Sequence, residues 1–285
     1  VIEINAGEES KSMVTILSIC SQLLEIGADR HSFLLGFGGG VVCDICGFVA
    51  SIYMRGIEFA YVSTSLLSQV DASIGGKTGI NFQSFKNILG AFNHPEFVLC
   101  DQKVLATLPE SEFINGLGEV VKHAFIADKE MFEFLKDKSE IILDRDELSM
   151  KYLIRRSIEI KSSIVNQDER ESGMRKLLNF GHTLGHAIEV NSKYNHGEAI
   201  SIGMVMAAKC SHEFGYCSKL IIGELENLLT ALSLPIKCDI DKNILFEAIQ
   251  KDKKKKANMI DFVFVEDIAK PRIEKVDPSS IQKAV

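Results

Sequence analysis

The sequence has 285 residues, of which 46% are hydrophobic and 25% are charged, and its formal net charge is −7. This composition is that of an ordinary soluble globular protein with one large domain or two smaller ones. The acidic balance argues against non-specific nucleic-acid binding, and the lack of any apolar run of about 18 residues argues against a membrane span. Seven scattered cysteines, best interpreted as buried reduced thiols, predict a cytoplasmic protein.

Short strands and helices alternate over the first hundred residues. Helices are predicted over 12–26 and 41–54, and strands over 32–37, 58–63 and 97–101. The strand at 32–37, SFLLGF, is predicted to be buried. Alternation of this kind is typical of a parallel α/β sheet.

Helical patterns dominate after Leu108 and Pro109. Helices are predicted over 111–126, 129–135, 147–166, 174–190, 198–214 and 221–232. A late apolar run at 259–265 predicts a strand, in a terminal hairpin. We therefore expect two domains, 1–105 and 106–285, with the active site at their junction.

Three consecutive glycines stand between a strand and a helix in GFGGGVV, Gly36–Val42. Glycine allows close backbone approach to a ligand, and a helix N-terminus offers unpaired N–H groups to a pyrophosphate. The stretch is not the G-x-G-x-x-G dinucleotide fingerprint, because Val41 stands where the third glycine should be. Dinucleotide binding and a simple tight turn both remain open on this motif alone.

A second glycine-rich stretch is QVDASIGGKTGIN, Gln69–Asn81, which carries Asp71 and Lys77. It is not a nucleoside-triphosphate loop, because Asp71 stands where the first glycine of that motif belongs. Lys86 and Asn87 follow closely. The pattern suits recognition of phosphate or hydroxyl groups, and a polar surface loop is the alternative.

Glu119, Lys122 and His123 have i, i+3 and i+4 spacing in GLGEVVKHAFI and so share one face of a helix. Because that face is otherwise apolar, a buried carboxylate there needs a lysine, a histidine or a metal ion as its partner. A simple ion pair within the helix is the alternative.

Histidines are concentrated in LLNFGHTLGHAIE and NHGEAI, which contain His182, His186 and His196. Two histidines four residues apart lie on one side of a helix, a spacing used by metal ligands. A carboxylate such as Glu119 with two imidazoles would suit zinc or another divalent first-row ion. The spacing favours a metal site but does not indicate which two histidines bind the ion.

Charged residues precede this helix and recur near the end of the chain. The charges of Lys161, Glu171 and Arg175 are explained by surface salt bridges, or these residues and Asn179 form a wall for a polyhydroxylated anionic substrate. The basic run Lys251–Lys256 is a solvated turn, or supplies one or two lysines that close over an anionic substrate.

The order of motifs resembles the 3-dehydroquinate synthase family of sugar-phosphate cyclases. GGGVV-x-D, MRG, QVD-x-S-x-GGKTG-x-N, KN-x-x-GAF, LPE, G-x-x-EV-x-K, DER-x-x-G-x-R-x-x-LN-x-GHT-x-GHA-x-E and HGEA-x-x-x-GM occur in sequence between Ala6 and Val265. The resemblance implies an α/β N-terminal Rossmann-like domain that binds NAD and a mostly α-helical C-terminal metal-binding domain.

The resemblance also implies an activity. The family converts 3-deoxy-D-arabino-heptulosonate 7-phosphate to 3-dehydroquinate and phosphate, a step of the shikimate pathway towards chorismate and aromatic amino acids. Such a phosphorus–oxygen lyase uses NAD as a catalyst, which oxidises a hydroxyl and is regenerated after phosphate elimination, and it uses zinc or cobalt. A cytoplasmic homodimer is expected, with a phosphorylated sugar acid as its small-molecule substrate.

Site residues follow from the matching motif positions. The metal ligands would be Glu119, His182 and His196. The catalytic polar residues would be Asp71, Lys77, Lys122, Glu171 and His186. The substrate-binding residues would be Arg55, Lys86, Asn87, Lys161, Arg175 and Asn179, with Lys253 or Lys254. The NAD-binding residues would be Glu8, Lys11, Gly39, Gly40, Val41, Asp44, Thr64, Ser65, Asp71, Lys77 and Lys86.

The sequence departs from the family pattern in three places. Family members have about 50 further upstream residues that supply the first strand and an acidic contact to the adenosine ribose, so the NAD-binding domain is expected to lack this part. Val62–Leu67 replaces the usual Pro-Thr-Thr, and Cys43 stands where glycine is common. The alternatives are a sister cyclase that makes an inosose or a valiolone, a metal-dependent polyol or alcohol dehydrogenase, and a non-catalytic nucleotide-binding subunit.

Overall fold

A computed structural model describes residues 1–83, 85–241, 244–245, 247 and 259–284. By its internal contacts the chain divides into two compact units, Val1–Pro109 and Glu110–Val285. Lys253 and Lys254 lie outside the described residues. Within the described ranges, no helix is both long enough and apolar enough to cross a membrane.

Unit 1 (Val1–Pro109) combines a small parallel sheet with a β-hairpin and two longer helices. Its elements are α1 Met13–Glu25, β1 Leu34–Gly38, α2 Gly40–Ile52, β2 Phe59–Ser63, β3 Lys77–Phe82, β4 Phe85–Phe92 and β5 Val98–Cys100. The parallel sheet has the order β1-β2-β5, and β3 pairs with β4 in antiparallel fashion. The α/β class predicted from the alternating pattern is therefore confirmed.

The core of unit 1 forms where α2 packs against the sheet. Phe59 and Tyr61 of β2 are buried against Ile45 and Val49 of α2 in one hydrophobic cluster. The prediction of a fully buried first strand is correct for one face only. Side chains of the other face are exposed, among them Phe37 at 67% of its surface, because the pleat turns alternate residues away from α2.

The β3–β4 hairpin was not predicted from sequence, which indicated a glycine-rich loop there. Small residues in both strands let the two backbones pair, with Gly79 opposite Gly90 in the register. Lys77 is the first residue of β3, whereas Lys86 and Asn87 belong to β4. The hairpin therefore gives these predicted site residues defined positions on a two-stranded ribbon.

Unit 2 (Glu110–Val285) is mostly helical. Its elements are α3 Glu110–Ala127, α4 Lys129–Asp137, α5 Ser139–Leu143, α6 Glu147–Gln167, α7 His182–Val190, α8 His196–Glu213, α9 Lys219–Ala231, β6 Ile260–Asp267, β7 Lys270–Val276 and α10 Pro278–Ala284. Strands β6 and β7 form an antiparallel hairpin, as predicted for the terminal strand. Buried residues cover nearly the whole circumference of α8, so α8 lies in the core of the unit.

The predicted helix over 174–190 is interrupted, and that prediction is wrong in this respect. A 3-10 helix covers Met174–Asn179, and α7 begins only at His182. The break lies at Gly181, whose φ of 78° is costly for any residue with a side chain. A Cβ at Gly181 would also lie 2.8 Å from the backbone nitrogen of Met204, so close packing on α8 enforces glycine.

Candidate functional site

Three residues predicted as metal ligands lie together in unit 2. Glu119 is in α3, His182 is the first residue of α7, and His196 is the first residue of α8. One possible ligand atom from each lies within 4.8 Å of the others. Both histidines direct Nε2 at the same atom, Glu119 Oε1, at 3.4 Å from His182 and 3.2 Å from His196.

Helix α3 approaches the start of α8 without side chains between them. A Cβ at Gly118 would lie 2.8 Å from the carbonyl oxygen of Gly197, and a Cβ at Gly197 would overlap the carbonyl of Asn115. Each glycine is directly next to a candidate ligand, Gly118 to Glu119 and Gly197 to His196. The close approach therefore brings the carboxylate of one helix to the imidazole of the other.

The N-terminus of α8 is held by two asparagines. Asn195 forms a capping box with Glu198, in which Glu198 N donates to Asn195 Oδ1 and Asn195 N donates to Glu198 Oε2, both at 2.9 Å. Gly197 N donates to Asn115 Oδ1 of α3 at 2.6 Å. These bonds fix the first turn of α8 and thereby the backbone of His196.

Each candidate ligand histidine has an oxygen atom within hydrogen-bonding distance of Nδ1, on the side of the ring away from Glu119. His182 Nδ1 lies 3.2 Å from the carbonyl oxygen of Phe180, and His196 Nδ1 lies 3.5 Å from Glu189 Oε2. An Nδ1–H that donates to these acceptors leaves Nε2, which faces Glu119, as the atom of each ring that would bind a metal ion. Metal-binding histidines in proteins are held in this way, so the donor set fits a divalent ion such as zinc.

Burial and charge determine the protonation of this cluster. Burial and the nearby Lys122 ammonium hold the pKa of His182 well below its ordinary value, so this imidazole is neutral. Burial by itself also lowers the pKa of His196, but hydrogen bonds with Glu119 and Glu189 outweigh it and raise that pKa to about 9. The two imidazoles therefore differ in charge because only His196 has a carboxylate on both sides.

Lys122 and Glu119 form a buried ion pair through Glu119 Oε2. The side chains are 2% and 0% exposed, so each charge compensates the other in a site that is buried from bulk solvent. The ion pair that the sequence offered as an alternative to a metal site is thus present, but it uses the carboxylate oxygen that faces away from the histidines. The adjacent His123 is also fully buried.

His186 lies at the open side of the histidine cluster. Its ring centroid is 5.1 Å from that of His182 and 6.2 Å from that of His196, and the residue is exposed. A second possible donor set consists of His186, Glu189 and His196. His186 therefore shares the neighbourhood of the candidate ligands while keeping access to solvent.

The loop after α6 is organised by Asp168. Its carboxylate accepts backbone N–H bonds from Ser172, Gly173 and Arg175 at 2.9, 2.7 and 3.0 Å. Desolvation raises the pKa of Asp168, but these hydrogen bonds outweigh it and lower the pKa to about 2. The loop that carries Glu171 and leads into Arg175 is therefore built around one ionised carboxylate.

The predicted polar wall of unit 2 is partly buried. Lys161 of α6 is 7% exposed and Arg175 is 2% exposed. The Arg175 guanidinium donates to the carbonyl of Glu169, and Asn179 Nδ2 donates to Glu171 Oε1, both at 2.5 Å. Burial of this lysine and this arginine argues against the surface salt bridges that the sequence left as the alternative.

Four predicted site residues of unit 1 form one network around Lys11. The lysine is 5% exposed, and its Nζ donates to Asp44 Oδ2 at 2.6 Å and to Asn87 Oδ1 at 2.5 Å. Glu8 Oε1 lies 3.5 Å from the same ammonium. Residues predicted on the NAD side are thus joined to Asn87, which was predicted on the substrate side.

The glycine turn of unit 1 leads directly into α2. Gly39 is the N-cap of α2, and Gly40 and Val41 are its first residues. Thr64 N donates to the carbonyl oxygen of Gly38 at 2.9 Å, which holds the end of β2 beside this turn. A Cβ at Gly39 would lie 3.2 Å from Ser65 Oγ, so the predicted cofactor residues of both segments are neighbours.

The remaining predicted residues of unit 1 lie in irregular backbone. Asp71 is in a single π-helical turn, Ser68–Ala72, a feature that is often found at functional sites. Lys77, Lys86 and Arg55 are exposed.

Three predicted site residues adopt left-handed backbone conformations, with φ of 72° at Arg55, 51° at Asn87 and 59° at Glu171. For residues other than glycine this costs of order 1–3 kcal/mol each and is concentrated at functional positions. The Arg55 turn also includes Met54 at φ 48°. Contacts in the rest of the fold must therefore stabilise these three backbone conformations, which are unfavourable on their own.

Four supporting residues were not identified from sequence, namely Asn81, Asn115, Asp168 and Glu189. Asn81 Nδ2 donates to Glu8 Oε1 at 2.8 Å, and its Oδ1 accepts from Asn87 N at 2.9 Å. Glu189 alone had a readable signal, because it follows His186 by three residues and so shares its helix face. The others depend on tertiary contacts or on a loop conformation.

Two family models match the chain. The model described as 3-dehydroquinate synthase N-terminal matches residues 1–115, and the one described as 3-dehydroquinate synthase C-terminal matches residues 116–255. A "3-dehydroquinate synthase" of Thermodesulfovibrio yellowstonii is 47% identical over 278 residues, which cover 96% of this chain and 77% of the relative.

Sugar-phosphate cyclases are among the solved structures with the same fold. The 2-epi-5-epi-valiolone synthase ValA of Streptomyces hygroscopicus, with NAD+ and Zn2+ bound, is 27% identical with a TM-score of 0.92, covering 99% of this chain and 80% of ValA. A 2-deoxy-scyllo-inosose synthase complexed with carbaglucose-6-phosphate, NAD+ and Co2+ is 25% identical with a TM-score of 0.89, covering 99% and 81%.

Proposed function

Because this chain belongs to the 3-dehydroquinate synthase family, it is a phosphorus–oxygen lyase, and we propose that Glu119, His182 and His196 hold the metal ion of its reaction. The reaction converts 3-deoxy-D-arabino-heptulosonate 7-phosphate to 3-dehydroquinate and phosphate. When bound, NAD supplies a transient oxidation of one substrate hydroxyl, and the metal ion stabilises negative charge that develops on substrate oxygen.

The observation that carries the metal site is the shared direction of two imidazoles. The Nε2 atoms of His182 and His196 face one carboxylate oxygen, while both Nδ1 atoms face acceptors outside the cluster. Lys122 pairs with the other oxygen of Glu119 and so orients that carboxylate. The bound Zn2+ and Co2+ of the two cyclase structures support the choice of a divalent first-row ion.

His186 is our candidate for proton transfer at the substrate. Its imidazole is exposed and adjacent to both ligand histidines, so it can exchange protons with solvent without displacing a ligand. Neutral His182 cannot take this role while its Nε2 faces Glu119.

Lys161, Arg175 and Asn179 of unit 2 are proposed substrate contacts. A buried guanidinium is a fixed, permanently charged donor and suits a carboxylate or phosphate oxygen. Glu171 orients the Asn179 amide through a direct hydrogen bond. From unit 1, Arg55, Lys86 and Asn87 are further proposed contacts to the anionic substrate.

We propose that unit 1 binds NAD through the glycine turn and the Lys11 network. The first turn of α2 offers backbone N–H groups at Gly40 and Val41 to a pyrophosphate. Glu8, Lys11 and Asp44 form a polar group around a buried ammonium, and its partly exposed carboxylates can hydrogen-bond ribose hydroxyls. Thr64, Ser65, Asp71, Lys77 and Lys86 complete the proposed cofactor contacts.

A sister cyclase is the main competing function. The match to a 3-dehydroquinate synthase at 47% identity far exceeds the 27% and 25% identities to the valiolone and inosose synthases. The proposed substrate contacts of the dehydroquinate reaction are also present in unit 2. Both observations support dehydroquinate as the product.

The decisive test is phosphate release from the heptulosonate phosphate with zinc and substoichiometric NAD, while NADH is monitored. Turnover beyond the amount of NAD without NADH accumulation, lost in a His182→Ala variant, supports the synthase. Accumulation of NADH in proportion to substrate would instead indicate a dehydrogenase. Turnover of the inosose or valiolone precursor in preference would indicate a sister cyclase.

We further propose a cytoplasmic homodimer, as the family resemblance implies. Sedimentation equilibrium of the purified chain tests the assembly, and a monomer at micromolar concentration would contradict it.

A further inference from the structure

Glu189 has no part in the set of metal ligands, yet it contacts one of them. We propose that Glu189 is a positioning residue that holds His196 with Nε2 directed at the metal ion and increases the affinity of the site for that ion. This inference rests on the proposed metal site of Glu119, His182 and His196. In this arrangement Glu189 hydrogen-bonds to His196, which in turn binds the metal ion, whereas His182 has no such carboxylate partner at Nδ1 among the described contacts.

The geometry assigns this role to Glu189. Its Oε2 lies 3.5 Å from His196 Nδ1, and His196 Nε2 lies 3.2 Å from Glu119 Oε1, so the imidazole bridges two carboxylates. The side chains of Glu189 and His196 are 14% and 26% exposed, which limits competition by water for this contact. An Nδ1–H donated to a carboxylate fixes the tautomer in which Nε2 is the ligand atom.

The backbone of both residues is well anchored. Glu189 is in the last turn of α7, and His196 is in the first turn of α8 behind the Asn195–Glu198 capping box. Ser192 Oγ donates to the carbonyl of Ile188 at 2.7 Å, and Asn191 Nδ2 donates to the carbonyl of Ala187 at 2.8 Å. The short connection between the helices is therefore ordered, and it keeps the Glu189 carboxylate beside the ring.

The two ligand histidines differ in the group that lies next to Nδ1. His182 Nδ1 faces a backbone carbonyl, at Phe180, which no side-chain substitution removes. His196 Nδ1 faces the side-chain carboxyl group of Glu189. A carboxylate makes the imidazole a stronger electron donor than a carbonyl does, so His196 should be the ligand whose strength depends on its outer partner.

Zinc affinity of the full chain, measured by competition with a chromophoric chelator, tests the proposal. Glu189→Ala should weaken zinc binding by about 10- to 100-fold, the range typical of lost outer partners. Glu189→Gln should weaken it less, because the amide oxygen still accepts from Nδ1 without the charge. Glu226→Gln, which alters a carboxylate of α9 paired with Lys209, is the matched control and should leave the affinity unchanged.

Cobalt substitution provides a readout that is independent of activity and of overall stability. In the Co2+ form, Glu189→Gln should shift the visible d–d bands, because the donor strength of one imidazole changes. The melting temperature of the metal-free variant shows whether it folds. If Glu189→Ala does not fold, the near-isosteric Glu189→Gln variant still decides the question.

Three outcomes are distinguishable. If His182→Ala binds zinc like the unsubstituted chain, the proposed metal site itself fails. If His182→Ala loses zinc but both Glu189 variants bind it with unchanged affinity and unchanged cobalt bands, the positioning role of Glu189 is overturned. If the chain binds a second equivalent that both Glu189→Ala and His186→Ala remove, Glu189 is a ligand in its own right, and the positioning role is also overturned.

Discussion

Gly118 of α3 and Gly197 of α8 face each other so closely that a Cβ on Gly118 would lie 2.8 Å from the carbonyl oxygen of Gly197. Neither position has room for a side chain, and the obstacle is backbone, which cannot rotate away. The residues that follow Gly118 and precede Gly197 are the carboxylate and one imidazole of the proposed metal site. The spacing of two helices therefore determines whether Glu119 and His196 can share one ion.

Alanine at Gly118 should separate these helices. We expect Gly118→Ala to lower the free energy of unfolding by about 1–3 kcal/mol, as overpacking does, and to weaken zinc binding at the same time. The control is Gly223→Ala in α9, where a Cβ would meet nothing within 4 Å. That substitution should raise stability by up to about 1 kcal/mol through helix propensity, with zinc affinity unchanged. Equal effects of the two variants in urea unfolding would contradict the packing argument.

Removal of the Glu119 charge should lower the free energy of unfolding, because Lys122 is then buried without a counter-charge. Because the pair is 0% and 2% exposed, Glu119→Gln leaves an ammonium without its counter-charge. We expect the metal-free protein to lose about 3–5 kcal/mol of unfolding free energy, the range for a broken buried pair. The double variant with Lys122→Met should recover most of this loss while still failing to bind zinc. A single variant as stable as the unsubstituted chain would show that the ammonium escapes to solvent.

Stability in acid should depend on Asp168. The pKa of Asp168 is about 2 in the folded protein and about 3.9 in the unfolded chain. Its contribution to the free energy of unfolding is therefore fully present above a pH of about 3.9, and it is lost as the pH falls towards about 2. The stability difference between the unsubstituted chain and Asp168→Asn should therefore shrink from about pH 5 to pH 2.5. A difference that stays constant over this range, in urea unfolding at each pH, would contradict the assignment.

NAD binding should depend on the Lys11 network. Lys11→Met removes the ammonium that joins Asp44 to Asn87, and we expect the Kd for NAD to rise about tenfold or more, since a hydrogen bond to a charged group contributes about 1.5–3 kcal/mol. Zinc affinity should be unchanged, because the proposed ligands belong to unit 2. Fluorescence titration with NADH measures the effect, and an unaltered Kd would remove Lys11 from the cofactor site.

Much of this architecture can be predicted from sequence because its signals are local. Apolar periodicity predicts α1, α2, α3 and α6 within one or two residues, and the order of motifs predicts the family and the two-part fold class, both confirmed. The interruption at Gly181 could not be predicted, because glycine within an apolar helical pattern is ambiguous until Met204 is seen against it. Pairing of Gly79 with Gly90 is likewise a non-local property of two strands.

In the candidate site, too, local features can be predicted from sequence and contacts between distant segments cannot. Spacing on α7 predicts that His182 and His186 share a helix face, but it cannot distinguish the ring that faces Glu119 from the ring that faces solvent. That difference depends on α3 and α8, which are distant in sequence. The role of Glu189 is non-local for the same reason, since His196 comes from another helix. Lys253 and Lys254, named by the resemblance, lie in a part of the chain that the structure does not describe.

X-ray absorption at the zinc edge of the loaded protein tests the central claim most directly. The proposed set predicts oxygen and nitrogen neighbours at about 2.0–2.2 Å, with the multiple-scattering signature of two imidazoles and no sulfur. His196→Ala and His182→Ala should each remove one imidazole or the ion itself, whereas His186→Ala should retain both. A sulfur shell at about 2.3 Å, or two imidazoles that persist in His196→Ala, would contradict the assignment of Glu119, His182 and His196 as the metal ligands.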